Sequence, residues 1–143
     1  MKYTGLLLAV ALMLLAGSAQ AHEKRAVADK YQFVVGFVNE PAYTGEMNGA
    51  EIRVSENSNP VVGLEKTLRV KVMGNEGEGS LDLELKPAYK EQGKYSARFL
   101  PTRPGKYIFV IEGEINGTAI NERFVSGEKF HDVEDSEAVR FPK

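Results

Sequence analysis

The sequence predicts an all-β fold, an immunoglobulin-like β-sandwich of about seven strands. Two observations carry this expectation. From residue 31 onward, short runs of β-branched and aromatic residues alternate with polar ones at period two, as half-buried strands do. Gly, Pro and Asn punctuate these runs at regular intervals, and no long segment shows helical periodicity.

The elements follow in chain order. Residues 1–21 read as an export signal. Lys2 supplies a positive start, 6–16 is an apolar run too short to span a bilayer, and Ala19-Gln20-Ala21 matches the small-x-small cleavage pattern. Cleavage there would make His22 the first residue of the processed chain. The polar stretch 22–30 (HEKRAVADK) reads as a loosely held N-terminal arm.

Strands are expected over 31–38, 50–56, 67–73, 80–86, 94–100, 106–114 and 118–125. Ile52 and Val54 oppose Arg53 and Ser55; Leu68, Val70 and Val72 oppose Arg69 and Lys71; Leu81, Leu83 and Leu85 oppose Asp82, Glu84 and Lys86. Asn116-Gly117 is the dipeptide of a tight hairpin, because both positions must tolerate positive φ. With Thr118 it also forms a glycosylation sequon, although the hairpin suffices to explain it. Pro101-Thr102-Arg103-Pro104 reads as a rigid turn serving the fold. Tyr107, just inside a strand after a glycine, is placed either for a corner-type hydrogen bond or as a plain core tyrosine. The sandwich is thus expected over 31–126. The remaining 127–143 forms an acidic C-terminal tail, either an edge strand or a segment packed on the sandwich.

Composition excludes several function classes. There are 18 basic and 20 acidic residues. Lys2 is the only charge in the signal, so the processed chain would carry a net charge of −3. With no basic stripe, nucleic acid is not an expected partner. The sequence contains no cysteine, which removes disulfides, thiolate metal sites, a nucleophilic thiol and a lipoprotein-type lipid anchor. The product is expected to be periplasmic or secreted and not membrane-spanning.

Candidate chemistry is sparse. Processing at Ala21 would put a free α-amine and an imidazole on His22, two nitrogens able to chelate one ion. The other histidine is His131. An amine, two imidazoles and a carboxylate from Asp132 or Asp135 would form an N₃O set suited to tetragonal Cu(II). The expected metal set is therefore His22, His131, Asp132 and Asp135, with His22 the primary ligand. The first and last strands of such a sandwich tend to run parallel, so the two histidines would meet only if the arm or residues 126–131 folded back.

Loop 39–48 (NEPAYTGEMN) offers Pro41, Ala42 and Tyr43 either to a protein partner in the envelope or as a plug for the core. Glu112, Glu114 and Glu122, with Arg123 nearby, lack an accompanying nucleophile, oxyanion motif or phosphate loop. No enzyme activity is expected from them.

Three stretches resemble a bacterial pattern: Gly45–Gly49 leading into AEIRV, then Asn59-Pro60-Val61-Val62-Gly63, then GKYSARFLPTRPGKYIFVI over 93–111. Their order resembles exported YtkA-like and CopC-like β-sandwich domains across roughly residues 31–125. That resemblance implies a Greek-key sandwich and a role in copper handling. It also implies a processed chain beginning with His, whose amine and ring bind Cu(II) beside further His and Asp ligands. His22 matches that feature; the family's D-x-H near the end of the domain has no match, and the sequence offers only His131-Asp132 with Asp135 following. A binding module is the resulting expectation; the alternative is a metal-free accessory or protein-interaction domain using loop 39–48 or a sheet edge. A histidine-brace oxidase would need the same His22 and a flat substrate surface.

Overall fold

A computed structural model describes residues 21–75 and 79–143. The export segment expected over 1–21 lies, except for Ala21, outside the described residues.

Among the described residues ten strands form two antiparallel sheets. They are β1 (His22–Val27), β2 (Tyr31–Phe37), β3 (Asn48–Glu56), β4 (Asn59–Pro60), β5 (Leu68–Met73), β6 (Ser80–Glu84), β7 (Lys86–Pro87), β8 (Lys94–Phe99), β9 (Ile108–Ile115) and β10 (Thr118–Val125). One sheet runs β1-β2-β3-β8-β7, with β4 pairing β3; the other runs β10-β9-β5-β6. The all-β sandwich expected from the alternation is thus present, and all seven expected strands form.

Alternation decides which side chains meet between the sheets. Phe33, Val35, Phe37, Ile52 and Val54 from the first sheet face Val70, Phe109, Ile111, Ile120 and Phe124 from the second, all buried. Phe33 stacks on Phe124, and Phe37 meets Phe109 edge-on with centroids 5.2 Å apart. Such ring pairs add about 0.5–1.5 kcal/mol each beyond the area they bury. At the Asn116-Gly117 turn both residues have positive φ (47° and 79°), as the hairpin demands.

Three elements differ from expectation. The 22–30 arm is instead strand β1 and a tight turn, paired along its length with β2 from His22↔Gly36 to Val27↔Tyr31. Its turn uses positive φ at Ala28 and Asp29 (54° and 53°), residues that do not announce a hairpin as Asn-Gly does. Arg25 explains why so polar a strand is seated at a sandwich edge. Its side chain points inward, places its guanidinium 4.1 Å from the Phe124 ring centroid, and bonds Glu23 and, at 3.0 Å, Oε2 of Glu122 on the opposite sheet. Secondly, the strand expected over 80–86 breaks at Leu85. That buried residue carries the chain from β6 in one sheet to β7 in the other. Thirdly, Asn59–Pro60 adds a two-residue strand beside β3.

The tail packs on the sandwich. Phe130 and Val133 join the core, and Gly105 and Val133 exchange backbone hydrogen bonds of 2.8 and 2.9 Å. On the other side, Thr44 N donates to Glu134 O and Glu134 N to Ala42 O. The segment therefore threads between loop 39–48 and the turn 101–106. Loop 39–48 is closed at its base by Asn48, whose side chain accepts from Asn39 N and donates to Asn39 O, both at 2.9 Å. Tyr107 makes the corner: its hydroxyl donates to Arg103 O at 2.9 Å.

Tyr107→Phe removes that bond while keeping the ring. Urea unfolding should show a loss of about 0.5–1.5 kcal/mol with an unchanged slope; unchanged stability would mean the corner contributes nothing.

Candidate metal site at the amino end of β1

β1 carries His22 into a ladder row on the outer face of its sheet. The row runs His22, Gly36, Glu51, Ser96 and Lys86 across β1, β2, β3, β8 and β7. The imidazole lies over Gly36. A Cβ at position 36 would stand 2.8 Å from Cδ2 and 2.9 Å from Cγ of His22, and 2.6 Å from the Ala21 carbonyl oxygen. The missing side chain is what makes room for the ring, which is a common reason for glycine inside a strand.

Beyond Gly36 stands Glu51, a buried carboxylate on the outer face. Its Oε1 is 3.5 Å from Nε2 of His22 and 3.3 Å from Nε of Arg53, and its Oε2 is 3.7 Å from Nζ of Lys94. Nε2 is buried and has no hydrogen-bond partner. The 3.5 Å approach to Glu51 is therefore an electrostatic contact that falls short of a bond.

Burial pushes the His22 pKa below its ordinary value. Glu51 opposes this, while Arg53 and Lys94 reinforce it. The ring is accordingly neutral at neutral pH. A neutral ring has one unprotonated nitrogen, which is the form a metal ion can bind.

The other expected ligands are occupied differently. Asp132 accepts a short hydrogen bond from the buried Ser126 hydroxyl. Asp135 caps the 3-10 turn Ser136–Val139 by accepting from Glu137 N at 3.0 Å. His131 is exposed and lies near Glu40. Glu40 has a raised pKa, chiefly from burial, opposed by the Phe37 N–H and then by His131. Among the described residues no group of three or more His, Asp and Glu side chains converges as a metal ion would require.

The placement of the two histidines follows the condition set for it, because residues 22–30 fold back along β2. Phe33 stacks on Phe124 and Phe37 meets Phe130, so β2 and β10 do run in the same sense. The unforeseen β1 hairpin then returns His22 to the end where β2 finishes, the end that also holds Glu40 and His131. Of the glutamates on the last hairpin, Glu112 lies 3.6 Å from Lys71 and Glu122 holds Arg25.

Sequence reasoning missed Gly36 and Glu51. A glycine at an outward position of YQFVVGF was a readable sign of close approach. The burial of Glu51 had no local sign, because it follows from neighbours on three other strands.

The fold defines a two-sheet antiparallel β-sandwich domain. No protein-family model and no curated protein matches the chain. Among solved structures, it is similar to a DUF4426 family protein from Pseudomonas aeruginosa. That similarity has a TM-score of 0.58 and 14% identity, covering 74% of this chain and 93% of that one. At that identity the likeness is one of fold. Among the described residues no helix is long and apolar enough to cross a membrane.

The lowered His22 pKa has a sign. As pH falls through the ordinary imidazole range, the unfolded chain takes up protons that the folded chain does not, so stability is lost on acidification. His22→Gln should flatten that part of the stability–pH profile measured by urea unfolding. Gly36→Ala should displace the ring and return the His22 pKa upward toward its ordinary value in an NMR titration; an unmoved pKa would refute the packing described.

Proposed function

We propose that the chain is an exported β-sandwich binding module that holds a Cu(II) ion at its processed amino end. One observation carries this reading: a neutral imidazole seated over a gap that only glycine leaves, with its orphaned Nε2 turned toward Glu51. Cleavage after Ala21 would remove the carbonyl that shares this gap and free the His22 amine beside it. The amine and Nδ1 of His22 would be the ligands, a nitrogen pair well matched to tetragonal Cu(II). Glu51 would act through Nε2–H, orienting the ring and raising its basicity as carboxylates behind metal-bound histidines do.

The resemblance to CopC-like domains supports the same end of the molecule. Asp132 and Asp135 already serve the tail, so the reading rests on His22, with His131 the nearer of the remaining candidates. A metal-free interaction module is the second reading. Loop 39–48 favours it little, since the tail bonds to both Ala42 and Thr44; a free sheet edge favours it more.

Copper titration followed by electron paramagnetic resonance tests the first reading. Protein beginning at His22 should bind one ion tightly, and a form with one extra N-terminal residue should not; equal binding would overturn the role of the amine. Glu51→Gln should weaken binding by about 10–100-fold. Asp132→Ala should leave affinity unchanged while costing about 1–3 kcal/mol of stability, because it strands the buried Ser126 hydroxyl.

A further inference from the structure

We propose that β6 is a docking edge for an extended segment of a partner protein in which apolar residues alternate with lysine or arginine. Each sheet ends in edge strands. β1 is blunted by the inward-pointing Glu23 and Arg25, and β10 by Glu122, which Arg25 holds from the opposite sheet. β7 has only two residues, one of them Pro87. Inward charges, proline and brevity are the usual devices against edge-to-edge pairing. β6 has none of them. It is five residues long, ends its sheet, and carries Leu81 and Leu83 on its inward side, opposite Val72 and Val70.

The inward side of β6 is incompletely covered. Leu83 packs against the core, but Leu81 is 50% exposed and Leu100 across from it 47%. Between them runs a groove of about 240 Å³ lined by Val72, Leu81, Phe99, Leu100, Arg103 and Tyr107. An added strand would drop its apolar side chains there.

The outward side fixes the partner's charge. On this face β6 and β5 pair opposite charges: Glu84 stands opposite Arg69, and Arg69 opposite Glu112; Asp82 stands opposite Lys71. Lys71 in turn lies 3.6 Å from Glu112. A strand added beyond β6 would meet Asp82 and Glu84, and basic residues would continue that pairing of opposite charges. Directly opposed like charges destabilise a strand pair, so two copies of β6 would repel one another. The occupant is therefore a different, basic segment, bound by strand addition with main-chain bonds for affinity and alternate side chains for selectivity.

The test uses the processed protein and capped seven-residue peptides. One alternates Val with Lys, a second alternates Val with Glu, and a third has the first one's composition in two blocks. Binding is followed by amide NMR and hydrogen exchange. The alternating basic peptide should bind most tightly, with shifts and new protection confined to β6 and the Leu81–Leu100 groove. Asp82→Lys with Glu84→Lys should weaken it by at least about tenfold and favour the acidic peptide. Both positions are exposed, and far-UV circular dichroism verifies that the double variant folds. Equal binding of the block peptide, shifts elsewhere on the surface, no binding, or dimerisation through β6 in sedimentation would each overturn the proposal.

Discussion

Arg25 is the contact on which the amino end of this protein depends. A strand spelled HEKRAV has little apolar material to bury, and without an anchor its four polar residues of six would favour water over a sheet edge. The guanidinium supplies the anchor by lying on Phe124 while two carboxylates from different sheets neutralise it. Cation–π contact and charge pairing thus act together across the flank of the sandwich, where the two sheets would otherwise gape. Seating β1 in this way aligns His22 with Gly36 and brings it within reach of Glu51. The candidate metal site is a consequence of an edge closure three residues away.

Much of the sandwich was legible in the residues. Period-two runs located seven of the strands, because in a half-buried strand the burial pattern is written directly in the alternation. The turn at Asn116-Gly117 was legible for a similar reason, since its backbone conformation restricts the residues that fit. β1 was not legible: inward positions 23 and 25 are charged, and its turn places Ala28 at positive φ, where alanine is rarely found. The break at Leu85 was hidden as well, because the alternation continues through the residue where the chain changes sheets.

The site was legible only in part. His22 stood out through the cleavage pattern ahead of it, a property of covalent chemistry and independent of the fold. Its surroundings are a property of the sheet alone. Gly36 and Glu51 reach it across two strands in register, and no linear spacing records such a row. Asp132 and Asp135 looked like spare carboxylates in the sequence, yet each answers a local need of the tail: one satisfies a buried hydroxyl, the other a free backbone N–H. Short acidic residues near turns are drawn to such duties, which is why they are poor evidence for a ligand set.

The threading of Phe130 and Val133 between two loops also orders events as the protein forms. Phe37 and Phe109 lie beside Phe130, so a chain emerging amino end first would present those rings to solvent until residue 133 had cleared the ribosome. Completion of this end of the sandwich is therefore a late step. During that interval the nascent molecule carries an uncovered aromatic face that only its own last residues close.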